Sequence, residues 1–349
     1  MEENYDYKKI VPDLLEWYDH HARVLPWRTE PKPYYVWVSE IMLQQTRVEA
    51  VKAYFARFVE ALPEIKDLAE APEEQLLKLW EGLGYYNRVR NLQQAAVTVM
   101  EEYGGELPAD YDSLLRLKGI GSYTAGAIAS IAYGIQVPAV DGNVLRVMKR
   151  LAGSYDDILR SSVKKDMERQ LQPVIPARAG AFNQAVMDLG AMVCIPNGKP
   201  LCQECPLQVH CRASRLGIQM ELPVKTKKKT RKIEEKTILL LEYQGKYAIR
   251  KRAAKGLLAG LWEFPNIEGL CSREELQSLF QKNGISPAIK ELGQSRHIFT
   301  HVEWVMTGYR LMLEQEIPKE EYQWVTPQEL EETYAIPTAF SYFTGKCLL

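Results

Sequence analysis

The sequence predicts a multidomain protein, with an all-α N-terminal domain followed by a smaller α+β C-terminal domain. Three observations carry that expectation. A chain of 349 residues exceeds one comfortable hydrophobic core, which makes two domains the prior. Apolar residues in the first part recur at three- and four-residue steps, the helical period, whereas beyond residue 237 short β-rich runs surround turn signals. Between the two, Lys225, Lys227, Lys228, Lys229, Arg231 and Lys232 cluster without an apolar period, as in an extended linker. The expected domains are therefore 1–215 and 237–349, joined by a basic linker at 216–236.

Composition narrows the function classes. The chain is 46% apolar and 26% charged, an ordinary globular composition. Its formal net charge is −1, so bulk charge does not announce a nucleic-acid partner, and any DNA-binding field has to come from local clustering. The opening MEENYDYKKI is acidic and mixed, so no secretory signal is expected. No apolar run approaches the roughly 18 residues of a membrane helix. Six cysteines are too few for a disulfide scaffold in a chain this long, and four of them crowd into residues 194–211. That points to metal ligation in a reducing cytoplasm.

Taken in order, a helical pattern over 12–17 ends before Arg23-Val24-Leu25-Pro26-Trp27-Arg28, where Trp27 is expected to be buried in a turn. Residues 36–62 read as one long helix or two, with Trp37, Ile41, Val48, Val51, Phe55, Phe58 and Leu62 on the apolar face. Trp37, Glu40 and Gln44 share one face, which stands a carboxylate beside an aromatic. A carboxylate in an apolar pocket has its pKa raised and can deliver a proton near neutrality. On spacing alone, an exposed glutamate on a helix face fits as well. In residues 79–92, LWEGLGYYNRVRNL, Gly82 and Gly84 break the helix ahead of Tyr85 and Tyr86, with Arg88 and Arg90 following. Aromatics beside guanidiniums can stack on bases at about 1–3 kcal/mol each, although half-buried core tyrosines give the same pattern.

Residues 114–143, LLRLKGIGSYTAGAIASIAYGIQVPAVDGN, form the stretch around which the rest is organised. Asp112 or Ser113 should start a short helix that leads into Gly119-Ile120-Gly121. The two glycines allow positive φ and close approach of another chain. Ser122 and Thr124 suit the start of the next, alanine-rich helix. Such a hairpin aims bare amides and a helix N-terminus outward, which suits a phosphate, although an ordinary helix–turn–helix connection is also consistent. Residues 144–151 read as a helix with a basic edge of Arg146, Lys149 and Arg150, and 180–194 as a mostly apolar helix carrying Gln184. Four soft thiolates then follow at Cys194, Cys202, Cys205 and Cys211. Their spacing alone fits zinc or an iron–sulfur cluster.

In the C-terminal part, strands are expected at 237–242 and 246–250 around the hairpin signal Gln244-Gly245. A helix is expected at 273–282, and 297–301, His-Ile-Phe-Thr-His, form a strand and turn ahead of a further strand at 302–306.

The hairpin followed by Pro138-Ala139-Val140-Asp141-Gly142-Asn143 resembles the helix-hairpin-helix DNA glycosylases. Bifunctional members carry a Schiff-base lysine two residues past the second hairpin glycine; this chain has Tyr123 there, and Lys118 stands where proline is usual before the hairpin. With Ser39-Glu40-Ile41-Met42-Leu43-Gln44-Gln45-Thr46 and the four cysteines, the resemblance is to the MutY-like adenine DNA glycosylases, over nearly the whole chain. The stretch 256–265, GLLAGLWEFP, resembles the start of a Nudix domain, but the metal-binding glutamate cluster of hydrolytic members is missing from 273–282. A recognition domain without nucleotide hydrolysis is expected.

The resemblance implies an all-α helix-hairpin-helix glycosylase domain with an iron–sulfur loop, plus a Nudix-like α+β domain. It implies excision of adenine opposite 8-oxoguanine or guanine in double-stranded DNA, by a monomer acting in the cytoplasm at the nucleoid. Glu40 would be the general acid and Asp141 the carboxylate at the sugar, with Tyr123 and Asn143 positioning them. Gly119 and Gly121 would grip a phosphate. Arg23, Leu25, Trp27 and Gln184 would border the adenine, Gln45 and Tyr85 would enter the duplex, with Arg88 beside them, and Phe299, Thr300 and His301 would inspect the lesion. Thr300 replaces the serine usual in that loop and keeps its hydroxyl. The cysteines would hold a 4Fe-4S cluster, with gaps of seven, two and five residues against the usual six, two and five. The rivals are an endonuclease III-like glycosylase with lyase activity, a lesion-binding protein without chemistry, and a Nudix-type hydrolase.

Overall fold

The computed structural model describes residues 5–226, 230–317 and 322–348; Lys227, Lys228 and Lys229 of the expected linker lie outside them. In chain order the helices are Val11–His21 (α1), Pro26–Thr29 (α2), Pro33–Leu43 (α3), Val48–Ala61 (α4), Ile65–Glu70 (α5), Glu73–Leu79 (α6), Asn87–Glu102 (α7), Tyr111–Arg116 (α8), Ser122–Tyr133 (α9), Gly142–Ala152 (α10), Ser161–Leu171 (α11), Ala179–Met192 (α12) and Arg212–Leu216 (α13). The strands Lys232–Tyr243 (β1), Lys246–Lys251 (β2), Trp262–Glu263 (β3) and Asn266–Glu268 (β4) follow. Then come helix Arg273–Gln281 (α14), strands Ala288–Ile298 (β5), Val302–Met312 (β6) and Tyr322–Val325 (β7), and helices Pro327–Glu332 (α15) and Ser341–Cys347 (α16). The helical first part and the α+β second part agree with the expected fold class. The chain packs as two compact units, Met1–Glu70 with Arg90–Lys227, and Ala71–Val89 with Lys228–Leu349.

In the first unit the single pattern over 36–62 becomes two helices, α3 and α4. No proline or glycine separates them. The chain turns where Gln45 takes left-handed backbone, φ 61°. The hairpin begins two or three residues earlier than expected, because Asp110 rather than Asp112 or Ser113 caps α8 and accepts from the Ser113 amide at 2.8 Å. Of the two hairpin glycines only Gly119 has positive φ, 79°. A Cβ there would also lie 2.8 Å from Asn91 Cβ. Gly121 is extended at φ −98° and caps α9 without a side-chain bond. The alanine-rich sequence of α9 follows from close backbone packing, since a Cβ on Gly126 would meet the Pro138 carbonyl at 2.2 Å. Helices α1, α10 and α12 enclose a further core that includes Leu14, Val144, Met148, Phe182 and Leu189.

In the second unit the strand order is β3-β2-β1-β6-β5, with β4 also paired to β1 and β7 to β2. The β1–β2 hairpin turns at Gln244-Gly245, both at positive φ, as the sequence predicts. Strand alternation makes two cores. Ile238 and Leu240 face Phe264, Phe340 and Phe343, while Leu239 and Leu241 face Leu276 of α14. Residues 71–89 group with this unit: Lys78 Nζ donates to the Tyr334 carbonyl at 3.1 Å, and the Ile336 amide donates to Glu81 Oε1 at 2.8 Å.

Candidate active site

The first unit contains a pocket of about 140 Å³ lined by Arg23, Leu25, Trp27, Arg28, Glu40, Tyr123, Asp141, Asn143, Gln184 and Met187, among others. Eight of the residues singled out in the sequence thus converge on one concavity from α2, α3, α9, α10, α12 and the segment before α2.

Glu40 is only 4% exposed, because α3 is surrounded on nearly every side. Burial pushes its carboxyl up to about 7. The neighbouring Asp141 charge adds to that rise, while a hydrogen bond from Tyr123 and the charge of Arg28 oppose it. The Tyr123 hydroxyl donates to Glu40 Oε2 at 2.7 Å. Asp141 caps α10: Oδ1 accepts the amides of Asn143 and Val144, both at 2.8 Å, and Oδ2 accepts Asn143 Nδ2 at 3.2 Å. Burial raises its pKa, and these three donors work the other way by favouring the ionised form. Two carboxylates thus meet one pocket in different surroundings, one held by a hydroxyl and one by a helix N-terminus.

Several supporting residues were not anticipated. Asn183 pins the segment ahead of Asp141: its Oδ1 accepts the Ala139 amide at 3.1 Å, and Nδ2 donates to the Val137 carbonyl at 2.9 Å and Ser130 Oγ at 2.8 Å. The basic edge expected on 144–151 is corrected by the structure. Arg146, Lys149 and Arg150 are each 4% exposed. Arg146 donates to Asn143 Oδ1 at 2.8 Å, the Gly190 carbonyl at 2.7 Å and the Cys194 carbonyl at 3.0 Å. Arg150 donates to the Leu222 carbonyl at 2.9 Å and to Cys194 Sγ at 3.3 Å, and Lys149 pairs with Asp156 at 2.6 Å. Bare carbonyls around the cysteine loop need these donors more than solvent does. Asp188 on α12 is fully buried and accepts from both Arg23 and Arg28. The signal for it was legible: it is the only charged residue in AGAFNQAVMDLGAM, and a buried charge requires a partner.

The four cysteines are unpaired and half-buried, and all of them border one apolar cavity together with Arg150, Leu207 and Gln219. Among the described residues no group of three or more His, Cys, Asp or Glu is arranged to hold a single metal ion. At the hairpin, Gly119 and Gly121 are exposed. Ser122 turns from capping to donate to Glu168 Oε1 at 2.7 Å and accept from Lys164 at 2.9 Å. Gln45 is exposed and outside the pocket.

In the second unit Tyr85 is 50% exposed with φ 48°, a left-handed conformation that costs a non-glycine residue about 1–2 kcal/mol. Its hydroxyl lies 2.8 Å from Thr300 Oγ1. Arg88 donates to the carbonyls of Leu83 and Gly84 at 2.9 and 3.0 Å and lies over the Trp80 ring, so it braces the glycine turn. Phe299 packs on Trp304 at 4.9 Å, and Thr300 and His301 are exposed.

A helical unit with a hairpin, two carboxylates in a base-sized pocket and a cysteine loop defines a base-excision DNA glycosylase. A family model described as HhH-GPD superfamily base excision DNA repair protein matches residues 38–173, and a NUDIX domain model matches 237–344. The chain is 36% identical to an adenine DNA glycosylase of Homo sapiens, covering 93% of this chain and 71% of that one. It is 34% identical to one of Buchnera aphidicola subsp. Baizongia pistaciae, covering 83% and 82%. A solved non-covalent endonuclease III–DNA complex superposes with a TM-score of 0.52 at 26% identity, over 62% of this chain and all of that one. The chain belongs to the adenine DNA glycosylase family: it is a DNA N-glycosylase of base excision repair that removes adenine. Among the described residues no helix is long and apolar enough to cross a membrane.

Proposed function

We propose that the chain excises adenine paired with 8-oxoguanine, or with guanine, from double-stranded DNA and leaves the strand uncut. The observation that carries this reading is the meeting of Glu40, Tyr123 and Asp141 in one pocket bordered by Leu25, Trp27 and Gln184. Adenine flipped from the stack, at a cost of a few kcal/mol, enters there. Glu40, protonated below about pH 7, delivers its proton to N7 of the base. The C1′–N9 bond breaks, with its electron pair leaving on the protonated adenine. Asp141, whose ionised form its three N–H donors favour, stabilises the positive charge that develops at C1′. Water then adds there and gives up a proton to the Glu40 carboxylate, which leaves an abasic site and restores the acid, the two-carboxylate logic of glycosidases. Tyr123 orients Glu40 and Asn143 orients Asp141. A tyrosine at 123 offers no amine for a Schiff base, which supports a glycosylase without lyase chemistry.

In this reading residues 1–215 perform the reaction, 216–236 link, and 237–349 read the opposite base. Gly119 and Gly121 present amides to a backbone phosphate, and Gln45 and Tyr85 enter the duplex. Phe299, Thr300 and His301 face the lesion, where the Thr300 oxygen accepts the N7–H that 8-oxoguanine has and guanine lacks. On α14, Glu275 is occupied in a capping box with Ser272, which supports recognition rather than nucleotide hydrolysis. Cys194, Cys202, Cys205 and Cys211 fit a 4Fe-4S cluster, because four thiol donors surround an apolar cavity with an arginine on Cys194 Sγ. When bound, it supplies four iron–thiolate bonds that tie down the 194–211 loop. Unpaired thiols suit a reducing cytoplasm and work at the nucleoid.

The test is single-turnover base release from duplexes holding one adenine opposite 8-oxoguanine, guanine or thymine, read before and after alkali. Release in the order 8-oxoguanine, guanine, thymine, with breaks only after alkali, is expected. Breaks without alkali point to the lyase rival, and tight binding without release to a lesion-binding protein.

A further inference from the structure

Asp188 is fully buried behind Arg23 and Arg28, two residues that line the base pocket, and the reaction above leaves it without a task. It sits on α12 and accepts from two guanidiniums and an amide. Arg28 forms a two-pronged contact, Nη1 to Oδ2 at 2.7 Å and Nη2 to Oδ1 at 2.9 Å. Arg23 donates through Nε at 2.8 Å and Nη2 at 2.6 Å to Oδ1, and through its backbone amide at 3.0 Å to Oδ2. Arg28 is then fixed further by its bond to the Arg23 carbonyl at 3.4 Å. The sequence separations, 160 and 165 residues, show that the cluster exists only because α12 packs beside α2. One carboxylate between two guanidiniums leaves a net charge of +1 in a water-poor wall, and both arginines line the same pocket as Glu40.

We propose that Asp188 is a positioning residue for the excision reaction: its two-pronged contact holds the Arg28 guanidinium against the pocket in which Glu40 gives up its proton. The inference rests on the reading of Glu40 as proton donor. A buried carboxyl whose proton is held too tightly transfers it poorly, and one that loses it too readily is empty at neutral pH, so the cluster sets the balance between them. The groups that bear on Glu40 are Tyr123 from α9, Asp141 from the cap of α10 and Arg28 from α2; Asp141 opposes Arg28. Tyr18 of α1 is coupled to Arg28, Arg23 and Asp188 rather than to Glu40. Arg28 stays charged despite burial because the Asp188 contact outweighs desolvation.

Because Asp188 acts through Arg28, substitutions at the two residues should act with the same sign, which makes the proposal testable. Arg28→Gln removes a positive charge, so the pH at which single-turnover release falls should move up by about 0.5–1 pH unit. Asp188→Asn gives up part of the two-pronged contact and should move it in the same direction by a smaller amount, because a guanidinium held less firmly weighs less on Glu40. Arg28→Lys should return it toward the parent value. Rates with enzyme in excess do not depend on the fraction folded. Should Asp188→Asn fail to fold, the Arg28→Gln and Arg28→Lys pair decides. Slower release with an unmoved inflection in the Arg28 pair, whatever its stability, would make the cluster structural only and overturn the proposal. Retained release in Glu40→Gln would instead overturn the reading on which it rests.

Discussion

The base pocket and the loop at 297–301 handle hydrogen bonding in opposite ways. In the pocket, Glu40, Asp141, Asn143 and Asp188 are already engaged in the free protein, and burial has changed what the carboxylates can do. In the loop, Thr300 and His301 are exposed; the Phe299 ring is anchored on Trp304 and His297, and Thr300 has one hydroxyl contact, with the exposed Tyr85. The difference teaches that chemistry needs groups whose acidity is set in advance, which only a dry and crowded site provides. Reading a base needs groups that can exchange water for a ligand at small cost.

Removing the acid should break this contrast most severely. Glu40→Gln is expected to lower adenine release by about 10²–10⁴-fold, with duplex affinity within about threefold of the parent, checked by single-turnover kinetics beside a binding titration. Asp141→Asn sharpens it, since asparagine caps a helix as well as aspartate and the Tm should be unchanged. Release should nonetheless fall by about 10²–10³-fold, because the anion at C1′ is gone; a matching fall in Tm would assign Asp141 to structure instead. On the loop side, Thr300→Val should cost roughly tenfold in preference for 8-oxoguanine over guanine while leaving release opposite guanine intact, measured as a ratio of single-turnover rates.

The smallest effect concerns stability. Glu40 binds its proton more tightly folded, about 7, than its ordinary value of 4.5. The folded state therefore gains stability from that proton at acid pH and loses it as pH rises from 4.5 through 7. Glu40→Gln should unfold later than the parent at pH 8, by about 3 kcal/mol, and show no such advantage near pH 4.5. Denaturant titration at the two pH values checks the sign.

What the sequence revealed follows the same division. That Glu40, Tyr123 and Asp141 line one pocket was legible through motifs that resemble those of a known family rather than through spacing alone, and the hairpin was legible from its glycines. Asn183 and Arg146 were not read as support, because the partners of Asn183 and the two carbonyls that hold Arg146 lie 44 or more residues away; Asp188 stands out as the one charge on its helix, but its partners lie 160 or more residues away. The basic residues of α10 were misread for a physical reason: periodicity reports which residues share a face, and a face with Arg146 and Arg150 can be buried when carbonyls wait opposite. Likewise the break between α3 and α4 carries no proline or glycine, only a glutamine held at positive φ.

The most direct test of the account is the pH dependence of single-turnover adenine release opposite 8-oxoguanine. The parent should release adenine with a rate that falls as pH rises through about 7, and Glu40→Gln should show neither that inflection nor appreciable release. An inflection retained in the variant, or a parent rate that rises through the same range, would contradict protonated Glu40 as the group that drives the base out.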